Sequence, residues 1–318
     1  MNTEDAFLAK DFITDWNSLE IFDFTLENKK HIVGFVEKVR FIQEVEQLFC
    51  VYKSNLAVLL AVYTLYESDI VERKMELPCD CCTDYSNINA FVTNVISSGK
   101  TLINAMIVYI KNAYGPGSSE YSEFKTTYPK KEYDDSFGYR FLTRLRDFSQ
   151  HGHLPVSMMK TERGNVAWFD IDRILKTPHF HHNETIAANL EELRESILKD
   201  FGSTARIAFA FTIAQYNLSV VTIYSSFYGS VKDDFFRICD KVDNHLIEYP
   251  EAIIKADGYP NGMVGYLDDD DTSHLHIFNP EDKTREMFVG FSEKANITLQ
   301  KDTEEMELLK LSFKFPAK

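Results

Sequence analysis

The stretch HIVGFVEKVRFIQEVEQLFCVYKSNLAVLLAVYTLYESDIVER, residues 31–73, decides the fold class. Its apolar residues recur at spacings of three and four, which is the pattern of an amphipathic helix: Val36, Val39, Phe41, Val45, Leu48, Phe49, Tyr52, Leu56, Leu59, Leu60 and Tyr63. A second run of this kind opens near Ser86 and ends at Gly115-Pro116, a combination typical of a helix C-terminus. Two long helices at the start of the chain predict a mainly α protein.

The rest of the chain extends this helical plan. We expect a short helix over residues 119–126, a longer one over about 134–151, one capped by Asn183 that runs to Lys199, and a long helix from about Ser203 to Glu248. Together these segments predict a bundle of three or four long helices.

Two parts of the chain have the alternating pattern of strands. Residues 156–160 and 165–171 flank Arg163-Gly164 and predict a β-hairpin at about 155–172, inserted in the bundle. Runs MVGYL, HLHIF and EMFVGF predict a small β-containing segment near the end. The predicted organisation is a lead-in over residues 1–30, a helical domain over 31–250 and a small α/β tail over 255–318.

Composition narrows the classes of function. A formal net charge of −15 argues against a broad, sequence-independent coat on DNA or RNA, but it leaves room for a small basic pocket. Five unevenly placed cysteines indicate a reduced compartment, and MNTEDAFLAKDF has no signal-peptide pattern. We therefore expect a cytoplasmic protein.

Two apolar stretches bear on a membrane location. Residues 56–66 are too few to span a bilayer, whereas residues 207–231 carry no charged side chain and are long enough. Polar residues recur through the second stretch, which favours a buried helix or a subunit interface over a membrane span. We expect no membrane association.

The segment YRFLTRLRDFSQHGHLPV, residues 139–156, carries the candidate chemistry. It places Arg144 and Arg146 on the last turns of a predicted helix and His151 where that helix ends, before Gly152. RNA is cleaved when its 2′-hydroxyl attacks the adjacent phosphate. Histidine can transfer the protons of that reaction, and arginine can grip and neutralise the phosphate.

These residues resemble the HEPN superfamily, whose ribonuclease members have Arg, then Asn, Asp or His, and a His a few residues later; here the match is RDFSQH, residues 146–151. Residues 40–160 also resemble a family of uncharacterised bacterial helical proteins with a segment like YRF…LRNY.QH.GLPV. This chain has Asp147 and Phe148 where that family often has Asn and Tyr. It has His153 where toxins paired with nucleotidyltransferase antitoxins have Tyr, so modification at that site is not expected.

The resemblance implies a metal-independent endoribonuclease that forms a homodimer and needs no cofactor. It also implies a role as a toxin or defence effector, with an antitoxin or another defence protein as partner. Arg146 and His151 would be catalytic, and RNA would be the substrate. Asp147, Gln150, Arg144 and His153 would support them, while Arg140, Lys130 and Lys131 would form an RNA-binding rim that Glu132, Asp134 and Asp135 dilute.

Alternatives remain open at this point. Arg146 could pair with an acid and His151 could cap the helix, which would leave an inactive HEPN-like scaffold that binds a partner protein or a ligand. Three groups could hold a metal: Cys79, Cys81 and Cys82; His179, His181 and His182; and Asp268 to Asp271 with His274 and His276. Their spacing favours solvated loops, so we expect no metal site.

Overall fold

The computed structural model describes residues 26–67, 84–150, 154–161, 164–177, 184–202, 205–248, 253–254, 263–267, 275–278 and 283–314. At some positions, including Asp147 and Gln150, it describes the backbone alone. Within these ranges the protein is mainly helical and has two small antiparallel sheets. The predicted fold class is confirmed at this level.

Nine α-helices and six strands make up the described ranges. The helices are α1 (Leu26–Glu67), α2 (Asp84–Tyr114), α3 (Ser119–Lys125), α4 (Lys131–Asp135), α5 (Phe137–Gln150), α6 (Ile171–Leu175), α7 (Glu184–Phe201), α8 (Phe209–Glu248) and α9 (Lys283–Lys314). A π-helical turn, Thr126–Lys130, joins α3 to α4. The strands are β1 (Val156–Thr161), β2 (Gly164–Asp170), β3 (Arg206–Ala208), β4 (Ile253–Ile254), β5 (Met263–Leu267) and β6 (Leu275–Phe278).

The chain forms two compact units. The larger contains residues 41–232 and 289–318, and the smaller contains the residues up to 40 together with 233–288. In the smaller unit, Phe235 stacks on Phe288 with ring centroids 4.7 Å apart. Asp234, which is buried, accepts a hydrogen bond from Lys38 at 2.6 Å and pairs with Arg237. Apolar stacking and a neutralised carboxylate thus hold this unit together.

The larger unit has a core rich in aromatic side chains. Phe49 of α1 stacks on Tyr224 of α8 at 3.8 Å, and Tyr109 of α2 lies against both Phe41 and Phe227. The buried positions of α1 recur at spacings of three and four: Ile42, Val45, Phe49, Tyr52, Leu56 and Leu59. The spacing that predicts the helix therefore also sets its buried face.

Helix α9 is attached to the larger unit by buried polar contacts. Asp302 accepts hydrogen bonds from Lys53 at 3.1 Å and from Asn217 at 2.8 Å. Asn217 also accepts a hydrogen bond from Tyr52 at 3.2 Å. Because each of these buried groups has a partner, the network fixes the position of α9 without leaving an unpaired charge.

The first sheet has the strand order β1-β2-β3, and the second has the order β4-β5-β6. In the first, Val156 pairs with Phe169 and Trp168 pairs with Ala208. The predicted hairpin at about 155–172 is thus confirmed as β1 and β2. The long helix predicted from Ser203 begins instead at Phe209, because residues 206–208 pair with β2 as an edge strand.

Two further predictions need correction. MVGYL and LHIF form strands, but EMFVGF, residues 286–291, lies inside α9 and not in a strand. A short apolar run suits either structure, and here the burial of Phe288, Ala295, Asp302 and Met306 follows helical spacing. The helix predicted over 134–151 is interrupted at Ser136, whose extended backbone ends α4. Its hydroxyl then accepts from the Tyr139 amide as the N-cap of α5.

Residues 37–67 and 87–114 are apolar and long enough to cross a membrane, a test that core helices of soluble proteins also pass. The uncharged stretch 207–231 is largely buried among the described residues, as the sequence favours. Its buried side chains include Ile213, Tyr216, Val220, Tyr224 and Phe227.

The backbone that leaves the predicted catalytic segment is held from two sides. Asn89 of α2 is 1% exposed; its amide donates to the carbonyl of Val156 at 3.3 Å and accepts from the Val156 N–H at 2.8 Å. The Arg173 guanidinium donates to the carbonyl of Leu154. The chain just after residue 153 therefore has a fixed position against α2 and α6.

Replacing Asn89 by Ala is expected to lower the free energy of unfolding by about 1–3 kcal/mol, because it leaves the buried amide and carbonyl of Val156 without partners. Urea denaturation measures the loss. Asn94→Ala, at an exposed position of the same helix, should change it by no more than about 0.5 kcal/mol. Equal losses in the two variants would contradict the structural role of Asn89.

Candidate functional site: a basic cavity beside Arg146

Helix α5 presents different faces to the core and to a cavity. Phe141, Leu142 and Leu145 are fully buried. Tyr139, Thr143 and Arg146 follow the i, i+4, i+7 spacing of one helical face and line the cavity. The amphipathic sequence of α5 therefore directs Arg146 toward a concave surface and not into the apolar core.

That cavity has a volume of about 730 Å³, which lies within the usual range of about 300–1,000 Å³ for ligand sites. We call it the basic cavity. Five basic residues line it, and no acidic residue is among the described residues that do so: Lys100 from α2, Lys125 from α3, Lys130 from the π-helical turn, and Arg144 and Arg146 from α5. In a chain with a net charge of −15, this is a local concentration of the opposite sign.

The π-helical turn brings two of these lysines to the same side. Lys125 and Lys130 are five residues apart, a separation that subtends about 140° on an α-helix. Hydrogen bonding from i to i+5 instead places such residues almost above one another. Pro129 lies inside the turn and lacks the N–H that a regular α-helix requires there. The irregular turn thus contributes directly to the charge of the basic cavity.

Arg146 has an unsatisfied buried group. Its Nε atom is buried and has no hydrogen-bond partner among the described residues, and the guanidinium forms no ion pair with a described side chain. A buried donor without a partner costs about 1–3 kcal/mol. An anionic ligand in the cavity would supply the missing acceptor.

Tyrosines form the wall behind Arg146. Tyr139 stacks on Tyr216 at 5.7 Å, and the Tyr216 hydroxyl donates to the carbonyl of Ile96 at 3.1 Å. Burial raises the pKa of Tyr216 far above its ordinary value, and the neighbouring Tyr139 adds to that rise, although the positive charge of Arg146 opposes it. Burial likewise raises the pKa of Tyr139. Both rings therefore stay neutral at physiological pH.

The side chain of Tyr133 on α4 positions Arg144. Its Nε donates to the Tyr133 hydroxyl at 2.9 Å, and its guanidinium carbon lies 5.9 Å from the centroid of that ring. Tyr133 also lines the basic cavity. The contact keeps Arg144 exposed at the cavity edge while restricting its side chain.

The predicted site residues are only partly brought together. Lys130, Arg144 and Arg146 line the basic cavity, whereas exposed Lys131 does not. Arg140 donates to the carbonyls of Tyr133 and Asp134 at 3.0 and 2.7 Å, so it fastens α5 to the end of α4. None of Glu132, Asp134 and Asp135 lines the cavity.

Other predicted residues fall where less is described. Asp147 and Gln150 lie in the last turns of α5, where only the backbone is described. His151 and His153 lie outside the described residues, as do Cys79, Cys81, Cys82, His179, His181, His182, Asp268 to Asp271 and His274. Among the residues that the structure describes, no group of three or more His, Cys, Asp or Glu is arranged to hold a metal ion.

Lys100 and Lys125 belong to the cavity but are absent from the sequence-based prediction. Lys125 lies one π-helical turn before Lys130, and the sequence pattern does not predict that turn. Lys100 lies on α2, far from the motif along the chain, and its participation depends on how α2 packs against α5.

A second cavity of about 610 Å³ lies on another side of α5. Arg140, Arg206, Glu192, Phe137 and Phe211 are among its lining residues. The Arg206 guanidinium stacks over Trp168 at 4.1 Å from the ring centroid. Because it combines a carboxylate with two arginines, this cavity has no comparable preference for anions.

Comparison of the chain with family models, with curated proteins and with solved structures gives no match. The function of the chain is therefore inferred from the residues of the site.

Close packing of α5 against α8 holds the site in place. A β-carbon added to Gly138 would lie 2.5 Å from Cβ of Gln215 and 2.9 Å from the backbone oxygen of Thr212. Gly138→Ala is therefore expected to destabilise the protein by about 1–3 kcal/mol, since a backbone atom has to move. Thermal unfolding followed by circular dichroism measures the change.

Gly229→Ala is the matched control for Gly138→Ala. Gly229 lies on α8, and an added β-carbon would meet nothing within 4 Å. This variant should be neutral or stabilised by up to about 1 kcal/mol through helix propensity. A destabilisation as large as that of Gly138→Ala would show that the close approach to Thr212 is unimportant.

Glu132 makes stability depend on pH. Burial raises the pKa of its carboxyl group, while a hydrogen bond with Ser219 opposes the rise. Since the folded-state pKa is raised, the stabilising contribution is present at pH below the ordinary carboxyl pKa of about 4.3 and is lost as pH rises through the folded-state pKa.

Glu132→Gln is therefore expected to have a higher Tm than the wild type at pH 7, with a smaller difference at pH 4. Melting curves at the two pH values test this. Glu184→Gln, at an exposed carboxylate, is the control. A Glu132 variant that is less stable than the wild type at pH 7 would contradict the assignment.

Proposed function

We propose that the protein is a metal-independent endoribonuclease of HEPN type, in which Arg146 binds the scissile phosphate and His151 transfers protons. The observation that supports this best is the buried, unpartnered Nε of Arg146 in a cavity lined by five basic residues. A phosphodiester is the anion that the resemblance of the RDFSQH segment assigns to this position.

The reaction requires two proton transfers and no external reactant. The 2′-oxygen of the ribose forms a bond to the adjacent phosphorus as its proton passes to a base. The bond from phosphorus to the 5′-oxygen breaks, and that oxygen receives a proton from an acid. The products are a 2′,3′-cyclic phosphate and a 5′-hydroxyl. Histidine can fill either role near neutral pH.

Arg146 would act on the charge that develops during attack. A guanidinium stays protonated and offers a planar set of donors to the oxygens of the pentacovalent phosphorus. The unpartnered Nε is already in place, so little rearrangement is required when the phosphate binds. Exposed Arg144 would neutralise a neighbouring phosphate and would not contact the reacting atoms.

The described chain is anchored on both sides of the segment that carries His151. Buried Leu145 anchors the last turns of α5. The contacts of Asn89 with Val156 and of Arg173 with Leu154 anchor the chain that follows. Residues 146–153 lie between Leu145 and Leu154.

Substitution of either proposed catalytic residue tests the assignment. Arg146→Ala and His151→Ala should each reduce cleavage of single-stranded RNA by at least about 100-fold, because each removes a group that acts in the transition state. Arg146→Lys should retain the charge but lose the planar contact and give an intermediate rate. Rates are measured by gel electrophoresis of end-labelled RNA.

Arg206→Ala is the control, because Arg206 is an exposed arginine that lines the second cavity. It should cleave RNA at the wild-type rate. Undiminished cleavage by Arg146→Ala or by His151→Ala would refute the proposed mechanism. So would products that end in a 3′-hydroxyl in place of a 2′,3′-cyclic phosphate.

The proposed enzyme is a cytoplasmic homodimer that pools two Arg146 and two His151 residues in one cleft, as the resemblance implies. A role in toxin–antitoxin or antiviral defence follows from the same resemblance. Sedimentation velocity tests the dimer, and a monomer that cleaves RNA at full rate would contradict it.

The basic cavity also favours a second candidate, a scaffold that binds an anionic ligand without cleaving it. Charge and buried donors suffice for binding, and no titratable base is required. This candidate predicts that the wild type and His151→Ala bind RNA or a smaller anion with equal affinity and that Arg146→Ala binds it more weakly. None of the three proteins would cleave the RNA.

A further inference from the structure

A third cavity, of about 210 Å³, lies between α2, α3, the π-helical turn and α8. From α3 it is lined by Glu120, Glu123 and Phe124, none of which lines the basic cavity. At about 100° per residue, these three occupy the side of α3 opposite Tyr121 and Lys125. The volume is below the usual range of about 300–1,000 Å³ for drug-sized ligands, so the cavity suits a small chemical group.

Aromatic side chains form most of the wall, and we call this space the aromatic cavity. Tyr114 of α2, Phe124 of α3 and Tyr128 of the π-helical turn line it. Phe124 is buried, and its ring centroid lies 5.4 Å from that of Tyr128. The Tyr114 hydroxyl donates to the carbonyl of Ser230 at 3.4 Å, so this ring reaches from α2 to α8. The faces of such rings carry negative potential and attract cations.

The formal charge of the aromatic cavity is opposite in sign to that of the basic cavity. Glu120 and Glu123 line it, and no lysine, arginine or histidine of the described chain does so. Both carboxylates are exposed, and neither forms an ion pair with a described side chain. Carboxylates and ring faces therefore favour the same kind of ligand, a small cation.

The chemistry of the wall selects among cations. A metal ion requires several oxygen or nitrogen ligands, and the described residues contain no group of three or more His, Cys, Asp or Glu arranged to hold one. A primary ammonium is strongly hydrated, and the Phe124 ring cannot replace its water. A trimethylammonium group presents its charge through methyl groups, which can contact ring faces directly.

We propose that the aromatic cavity binds a trimethylammonium group. Two sources carry this group, a free compound of the choline type and the side chain of a trimethylated lysine, and the same wall would recognise it in both. The aromatic and basic cavities share no lining residue, so this proposal and the proposed nuclease can fail independently.

Comparison of choline with an uncharged molecule of the same shape tests the proposal. The analogue is dimethylbutanol, in which a carbon atom replaces the nitrogen of choline. Both are titrated against the full chain and followed by ligand-detected NMR. Choline should bind at least about tenfold more tightly, because only its charge interacts with the rings and carboxylates. Equal affinity for the two molecules would overturn the proposal.

Two substitutions of one residue separate the ring from the volume that it fills. Tyr128→Leu removes the aromatic face and should weaken choline binding by at least about tenfold. Tyr128→Phe keeps that face and is the matched control, with an affinity within about threefold of the wild type. If the leucine variant binds choline as tightly as the phenylalanine variant, the ring has no part in binding and the proposal is wrong.

Gly229 allows the cavity to be filled without altering its walls. It lines the aromatic cavity from α8, and an added β-carbon would meet nothing within 4 Å. Gly229→Leu should fold with a Tm close to that of the wild type and lose choline binding. Gly290→Leu, at an equally open glycine of α9 away from the cavity, should bind choline normally. This pair decides the matter even if Tyr128→Leu does not fold; undiminished binding by Gly229→Leu would refute the site.

A short peptide with one trimethylated lysine, titrated beside the same peptide with unmodified lysine, distinguishes the two sources. Tighter binding of the trimethylated peptide than of choline identifies a modified protein as the ligand, whereas equal or weaker binding identifies the free compound. Equal affinity for the two peptides, together with no binding of choline, would overturn the proposal.

Discussion

The close contact between α5 and α8 is the constraint on which the candidate site depends. Gly138 approaches the backbone of Thr212, and the adjacent Tyr139 stacks on Tyr216, one turn further along α8. Phe141, also on α5, packs against Phe169 of the sheet. These contacts fix the rotation of α5 about its axis. With that rotation set, Arg146 faces the basic cavity, because it shares one helical face with Tyr139 and Thr143.

Charge is distributed unevenly over the chain, and the distribution follows the fold. The chain is strongly acidic, yet the described lining of the basic cavity contains five cations and no carboxylate. Helices from three separate parts of the sequence supply those cations. The acidic residues near α4 lie elsewhere on the surface, or are buried as Glu132 partly is. An anion would thus be repelled by the net charge of the chain and attracted locally by the basic cavity.

Much of the architecture follows from local sequence patterns. Apolar spacing predicts α1 and α2 closely, and Arg163-Gly164 between two alternating runs predicts β1 and β2. The strand β3 is too short to show a pattern, and it forms because β2 offers a free edge. EMFVGF has the composition of a strand, but Phe288 and the buried positions after it fit a helix; the deciding contacts come from distant parts of the chain.

The candidate site, like the fold, could be predicted only where its residues lie close together in the sequence. Arg146, Arg144 and Lys130 emerge from the motif and its surroundings, because they lie on or near one helix. Lys100 depends on tertiary packing that no local pattern records. Arg140 and Lys131 have the expected charge but do not line the basic cavity. Arg140 holds α5 to the end of α4 through its hydrogen bonds, and Lys131 is exposed. A spacing rule states which residues share a helix face, and it does not state which neighbouring helix meets that face.

The π-helical turn at Thr126–Lys130 has a consequence for how the chain tolerates changes of length. Exposed connecting segments usually accept insertions and deletions. Here each added or removed residue would rotate all that follows by about 100°. Lys130 would therefore rotate away from Lys125. This surface segment makes few core contacts, yet its length is fixed, because it sets the position of Lys130 relative to Lys125 in the basic cavity.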